Sequence, residues 1–170
     1  MSLPQLIMRN PDITSLPPLD TGNLTLRTHR PGDEAAWEEI IEAAFGHHFD
    51  FEFLIKAGDY YPEHVFYLCD KDRPVATASG VENPDFPGEG WLRMVAVHPD
   101  AQGKGLGKKI CLAVLHDLAR RGYKSALLST DDIRIPAIKL YLSLGFEPFC
   151  TDDTHKQRWN EIYKKIMPQH

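Results

Sequence analysis

The sequence predicts an α/β domain: a central mixed sheet of about seven strands with helices on both faces. Two observations lead there. Three strand-like stretches follow one another over residues 65–69, 74–81 and 91–97, which implies antiparallel pairing. A strand–helix–strand run then spans 91–130, which implies a parallel pair within the same sheet.

The elements follow in order. Residues 1–22 contain Pro4, Pro11, Pro17 and Pro18 among Ser and Thr and read as an extended arm over the domain or a partly disordered one. The domain proper is expected over 23–170, beginning with the alternating stretch Asn23 to His29. Pro31-Gly32-Asp33 opens a helix whose apolar stripe is Trp37, Ile40, Ile41, Ala44 and Phe45, with Gly46 as its stop. Asp50 to Ala57 suits a second short helix. The polar turn Asp70-Lys71-Asp72-Arg73 joins the next two strands, and the proline- and glycine-bearing stretch 83–90 is a loop. After the strand Trp91 to Val97, a helix is expected from Gly103 to Arg121, with Leu106, Ile110, Val114 and Leu118 on one face. Ser125 to Thr130 reads as a buried strand, and Ile135 to Leu144 as a helix ended by Gly145. Phe146 to Cys150 and Trp159 to Ile166 are expected as the last two strands, with Asp152 to His155 in a hairpin loop between them.

Composition narrows the function. A chain of 170 residues suits one substantial core. The net charge of −5 disfavours a nucleic-acid partner, which calls for a basic surplus. No apolar run reaches the roughly 18 residues of a membrane span, so no membrane partner is expected. The stretch MSLPQLIMRNPD lacks the basic and apolar regions of a secretory signal. Cys69, Cys111 and Cys150 are widely spaced, without a CxxC pair, so neither a disulfide framework nor a zinc site is expected, and the cytoplasm is the default compartment. His47 and His48 beside Asp50 and Glu52 fall short of a metal set; Phe49 and Phe51 of the same loop are candidate walls for a pocket.

The chemistry-bearing segment is Val95-Ala96-Val97-His98-Pro99-Asp100-Ala101-Gln102-Gly103-Lys104-Gly105-Leu106-Gly107-Lys108. A strand ends here and a helix begins among glycines. Bare backbone lets a ligand approach closely, and the first amides of a helix have no internal acceptor. A diphosphate suits that place, with Lys104 and Lys108 adding charge. A Walker A loop does not fit, because only three residues separate Gly103 from Gly107 and Lys109 stands where a hydroxyl residue is needed. A dinucleotide-binding GxGxxG does not fit either, since the spacing is GxGxG and the turn lies mid-chain. A turn chosen only for tight packing leaves three alternate glycines unexplained.

With the Q/RxxGxG/A pattern met by Gln102, Gly103, Lys104, Gly105, Leu106 and Gly107, and with PAIKLYLSLGFEPF over 136–149, the sequence resembles the GNAT superfamily of acyl-CoA N-acyltransferases along about residues 23–166. The segments LPPLDTGNLTLRTHRPGDEAAW and from Leu140 onward are similar to its mycothiol-synthase-like branch. The resemblance implies an acetyl-CoA-dependent N-acetyltransferase, with no metal. It implies that the strand residues Met94, Val95, Ala96 and Val97 offer backbone groups to the pantetheine arm beside a splayed parallel partner. It implies that the amides of Gly103 to Lys108 hold the diphosphate. Tyr141 matches the tyrosine that protonates the departing thiolate, although its helical position also suits a tyrosine packed in the core. Many members carry an asparagine seven residues earlier; Arg134 stands there, and it either contacts the cofactor or an acidic acceptor, or is simply exposed.

Amide formation also needs a proton acceptor for the amine and a donor for the carbonyl oxygen, the latter met by a backbone amide of strand 91–97. Glu82 is the candidate base; Asp131, Asp132 and a water chain are alternatives. The resulting expectation is acetyl transfer to a primary amine of a small acceptor, in a ternary complex. A non-catalytic acyl-CoA sensor and a protein or peptide acetyltransferase are the competing readings. A homodimer is compatible with the resemblance, and the acceptor itself is not encoded in any recognisable motif.

Overall fold

The computed structural model describes residues 3–58 and 60–167. The strands are β1 (Leu6–Asn10), β2 (Thr25–Thr28), β3 (Val65–Asp70), β4 (Arg73–Glu82), β5 (Gly90–Val97), β6 (Ala126–Thr130) and β7 (Glu147–Phe149). The helices are α1 (Glu34–Phe45), α2 (Phe51–Lys56), α3 (Leu106–Arg120), α4 (Ile135–Ser143) and α5 (Asp153–Ile166). The strands form one seven-stranded sheet in the order β2-β3-β4-β5-β6-β1-β7. Every neighbouring pair is antiparallel except β5 and β6. The mixed sheet expected from the sequence is therefore the architecture found.

Two apolar clusters hold helices against this sheet. Ile110, Leu115 and Leu118 of α3, Ile138 of α4 and Trp159 of α5 are buried with Leu6, Leu68, Leu92 and Leu128 of the strands. Trp37, Ile40 and Ile41 of α1 and Phe51 of α2 form the second cluster with Val65, Tyr67 and Ala96. Each such large apolar side chain contributes on the order of 1.5–3 kcal/mol by leaving water, so the positions of α1 and α3 relative to β5 are firmly set.

Two sequence expectations need correction, and they offset each other in the strand count. Trp159 to Ile166 is not a strand, and Asp152 to His155 is not a hairpin loop; both belong to α5. Asp152 Oδ1 accepts from the His155 amide at 3.1 Å, and Asp152 is the N-cap. His155, Trp159 and Ile162 are the buried residues of α5, spaced four and three apart; this helical period overrides the strand preference of Trp, Ile and Tyr. The missing strand comes from the arm expected over residues 1–22. Leu6–Asn10 alternates buried and half-buried positions and lies between β6 and β7, antiparallel to both. The rest of that segment runs across the domain: Ile13 is buried with its amide donating to the Lys124 carbonyl, and His116 Nε2 donates to the Pro17 carbonyl at 2.8 Å. The prolines that suggested an arm bracket the strand without interrupting it, since Pro4 precedes it and Pro11 follows it.

Candidate active site

The only parallel pairing in the sheet is short. β5 and β6 are in register at Gly90↔Ala126 and Trp91↔Leu127, and no pairing follows although both strands continue. Beyond Trp91 the strands part. The cause lies partly in β5: Thr77 faces Ala96 and Ser79 faces Arg93, so Ala78 alone opposes both Met94 and Val95. Met94 takes up this extra residue with a φ of 53°, the left-handed region a side chain rarely enters. The bulge bends β5 away from β6 and leaves backbone groups of β5 facing a gap.

The glycine turn lies at the end of that gap. After β5, Pro99–Ala101 makes one 3₁₀ turn, and Gln102 follows with its side-chain Nε2 donating to the Val97 carbonyl at 3.3 Å. The helix starts at Leu106, not at Gly103 as the sequence suggested. Gly103 and Gly105 have φ of +81° and +75°, a conformation that cannot enter a right-handed helix, and a Cβ on either would meet nothing within 4 Å. Gly107 differs: a Cβ there would stand 3.0 Å from Leu140 Cδ2, so its bareness lets α3 approach α4. Among the described residues, no backbone amide from Gly103 to Lys108 finds an acceptor; the next that does is Lys109, donating to Gly105. These free donors, the positive end of a fifteen-residue helix and the exposed Lys104 and Lys108 make a cradle for a doubly charged phosphate group.

From this cradle a cleft of about 410 Å³ runs along β5, lined among others by Val95, Ala96, Val97, Gln102, Gly107, Arg134 and Tyr141. A smaller cavity of about 110 Å³ lies in the gap itself, lined by Gln5, Phe45, Leu92, Arg93, Met94, Val95, Ser129, Thr130, Arg134 and Tyr141. The two share Val95, Arg134 and Tyr141. Tyr141 is almost wholly buried, with its ring edge-on to Phe146. Its phenol has no hydrogen-bond partner among the described residues. Burial raises its pKa far above the usual value, so the phenol keeps its proton at any ordinary pH. Both functions weighed for Tyr141 from the sequence are thus compatible: its ring packs in the core, and its residue borders both cavities.

The other candidates scatter. Glu82, the base considered from sequence, ends β4 and accepts a 2.5 Å hydrogen bond from Tyr123; it lines neither cavity. Asp132 is taken by Arg158 with two hydrogen bonds, which lower its pKa, and Asp131 is exposed at the end of β6. Phe51 is buried beneath α1, stacked on His29 at 4.1 Å, and Phe49 packs on Phe45 and His47. The wall this region supplies to the small cavity is Phe45. Glu38, His48 and Asp50 bring ligand-type atoms within 4.8 Å of one another, but Glu38 and Asp50 already accept from the Phe51 and Phe53 amides and so cap α2. Arg93, Gln5, Ser129 and Thr130 were not singled out from sequence. Arg93 had a signal: it is the one charge inside the otherwise apolar stretch Trp91 to Val97.

The sequence profile of the Acetyltransferase (GNAT) family matches residues 34–146, which include β5, the glycine turn and α4. A mycothiol acetyltransferase of Thermomonospora curvata is 35% identical over 138 residues, covering 76% of this chain and 46% of that protein. One of Streptomyces bingchenggensis is 34% identical over 137 residues, covering 76% and 44%. The chain spans about half the length of these curated relatives. Among solved structures, a GCN5-related N-acetyltransferase from Sphaerobacter thermophilus superposes with a TM-score of 0.70 at 28% identity, over 85% of this chain and 48% of that one.

Proposed function

Because the chain belongs to the acetyltransferase (GNAT) family, we propose that it transfers an acetyl group from acetyl-CoA to a primary amine of a small-molecule acceptor, by direct attack in a ternary complex. The carrying observation is that Tyr141, protonated and without a hydrogen-bond partner among the described residues, borders both cavities. A thioester held in the larger cavity and an amine entering from the smaller one would meet beside it.

The cradle fits the cofactor's diphosphate. Gly103, Lys104, Gly105, Leu106, Gly107 and Lys108 hold it through backbone amides and lysine charge, and Gln102, its side chain bonded to the Val97 carbonyl, fixes the start of the turn. Met94, Val95, Ala96 and Val97 line the path of the pantetheine arm with the edge of β5 that is not paired to β6. Bound acetyl-CoA supplies the activated acetyl group. The amine nitrogen bonds to the carbonyl carbon, the carbon–sulfur bond breaks, and Tyr141 delivers its proton to the sulfur. No carboxylate or imidazole of the described residues lines either cavity. The amine therefore loses its proton to water, and solvent returns one to Tyr141. We place the unit that does this over residues 23–170 together with β1.

The test is CoA release with a panel of amines, alongside acetyl-CoA binding. Turnover that drops in Tyr141→Phe supports the reading. Tight acetyl-CoA binding with no turnover on any amine, unchanged in Tyr141→Phe, would assign the chain as an acyl-CoA sensor. Turnover confined to peptide N-termini or lysines would keep the chemistry and replace the acceptor. No helix among the described residues is long and apolar enough to cross a membrane; we place the reaction in the cytoplasm, where fractionation checks it.

A further inference from the structure

The small cavity in the gap has a charge character that the acetyl-transfer reading does not use. Arg93 and Arg134 both line it, from β5 and from the N-cap of α4, and no acidic side chain among the described residues does. Each guanidinium rests on an aromatic ring, Arg93 at 5.3 Å from the Tyr60 centroid and Arg134 at 4.5 Å from that of Phe45. Stacking holds the planar group in place but leaves its N–H edge free to donate.

The other half-buried arginines set the standard for this chain. Arg9 pairs with Glu89 at 3.0 Å, Arg27 with Asp33 at 2.6 Å, Arg121 with Asp117 at 3.0 Å and Arg158 with Asp132 at 2.5 Å. Arg93 and Arg134 are equally half-buried, yet neither guanidinium has an ion pair or hydrogen bond among the described residues. The chain carries 24 acidic against 19 basic residues, so carboxylates are not scarce. Holding two like charges around one small cavity without a counter-charge is costly unless an anion arrives there.

That anion is not the diphosphate of the cofactor. None of the residues Gln102 to Lys108 lines the small cavity; it extends past Tyr141 toward Gln5, Ser129 and Thr130, away from the cradle. Ser129 and Thr130 bring hydroxyls that can donate to the same anion. Arg134 borders both cavities, and Arg93 borders only the small one.

We infer that the acceptor is an anionic amine, one whose molecule carries a carboxylate or a phosphate that pairs with Arg93 and Arg134 while its amine faces Tyr141. The inference rests on the acetyl-transfer reading above and specifies its acceptor class. Arg93 sets specificity; Arg134 shares the anion and closes the junction with the cofactor cleft.

Matched amines test it: glycine against glycinamide, and O-phosphoethanolamine against ethanolamine, assayed by CoA release at saturating acetyl-CoA, with kcat/KM expressed per unprotonated amine. The expected result is a kcat/KM at least about tenfold higher for the anionic member of one pair, the gain one charge-assisted hydrogen bond provides. Which pair shows it separates a carboxylate from a phosphate. Arg93→Gln is expected to erase that ratio by raising KM, with acetyl-CoA affinity unchanged, and Arg93→Lys to restore part of it. Neutral members used as well as or better than their anionic partners overturn the inference while leaving acetyl transfer standing, as does an anionic preference that survives Arg93→Gln with unchanged KM. Absence of turnover on every amine is instead the failure of the acetyl-transfer reading. Titration of the CoA-bound protein with acetate and inorganic phosphate then decides the anion site: heat lost in Arg93→Gln supports it, and no heat overturns it.

Discussion

At one end of the cleft, the proposed phosphate cradle is drawn from consecutive residues, Gln102 to Lys108, and relies on backbone. At the other end, Gln5 before β1, Phe45 of α1, Arg93 of β5, Thr130 of β6 and Tyr141 of α4 meet around one small cavity, and most of them do it with side chains. The first region needs a local conformation, so its requirement is written in adjacent residues: glycines where φ is positive, lysines beside them. The second needs the sheet order and the splay of β5 from β6 before any of its members become neighbours. A phosphate cradle can be found by reading along a chain; an acceptor site assembled from distant elements requires the fold first.

Removing the phenol where the two regions meet should have the largest effect. Tyr141→Phe is expected to lower kcat by about 10²- to 10⁴-fold, the usual range for a lost general acid, with little change in acetyl-CoA affinity. Steady-state kinetics beside calorimetric titration reads both. A kcat within a few-fold of the native value would return Tyr141 to the role of a core tyrosine.

Next in size is the cradle. Gly105→Glu places a carboxylate in the open space above the turn and is expected to weaken acetyl-CoA binding by at least about tenfold, roughly the 1.4 kcal/mol of one lost charge-assisted contact. Gly105→Ala is the control, since it carries the same left-handed strain of about 1–2 kcal/mol without the charge. Equal affinities in the two variants would remove the diphosphate from this turn.

Gly107→Ala separates the glycines from one another. Its Cβ would crowd Leu140 at 3.0 Å, so the expected loss is one of stability, about 1–3 kcal/mol in chemical denaturation, with acetyl-CoA affinity retained. An affinity loss without a stability loss would show that the missing side chain of Gly107, and not its amide alone, serves the diphosphate.

The pH dependence is the gentlest probe. With no carboxylate or imidazole among the described residues lining the cavities and the Tyr141 phenol held protonated, kcat/KM is expected to rise toward the pKa of whichever amine is used, without an enzyme ionisation near neutrality. A plateau at the same pH for amines of different basicity would reveal a base on the protein.

The same contrast explains how far the sequence could be read. Apolar periodicity identifies α1, α3 and α4 and the β3–β4–β5 meander, because each of these elements is amphipathic or wholly buried by itself. It misses β1, a five-residue strand between prolines whose partners β6 and β7 lie more than a hundred residues away. It mistakes α5 for a strand because Trp159, Ile162 and Tyr163 carry strand preference, while the cap at Asp152 and the burial of His155 fix the helix. At the site, the glycine turn and Tyr141 are the candidates that local sequence patterns mark. Arg93 was visible as a charge within an apolar strand, but its meaning depends on Arg134, Phe45 and a cavity lining without a carboxylate among the described residues, none of which the linear sequence places together.

The backbone cradle is tested most directly by titrating acetyl-CoA into ¹⁵N-labelled protein. The largest amide shifts are predicted at Gly103, Lys104, Gly105, Leu106, Gly107 and Lys108, with smaller ones along Met94 to Val97. Shifts that leave Gly103 to Lys108 unmoved, or that gather on another face of the sheet, would contradict the account.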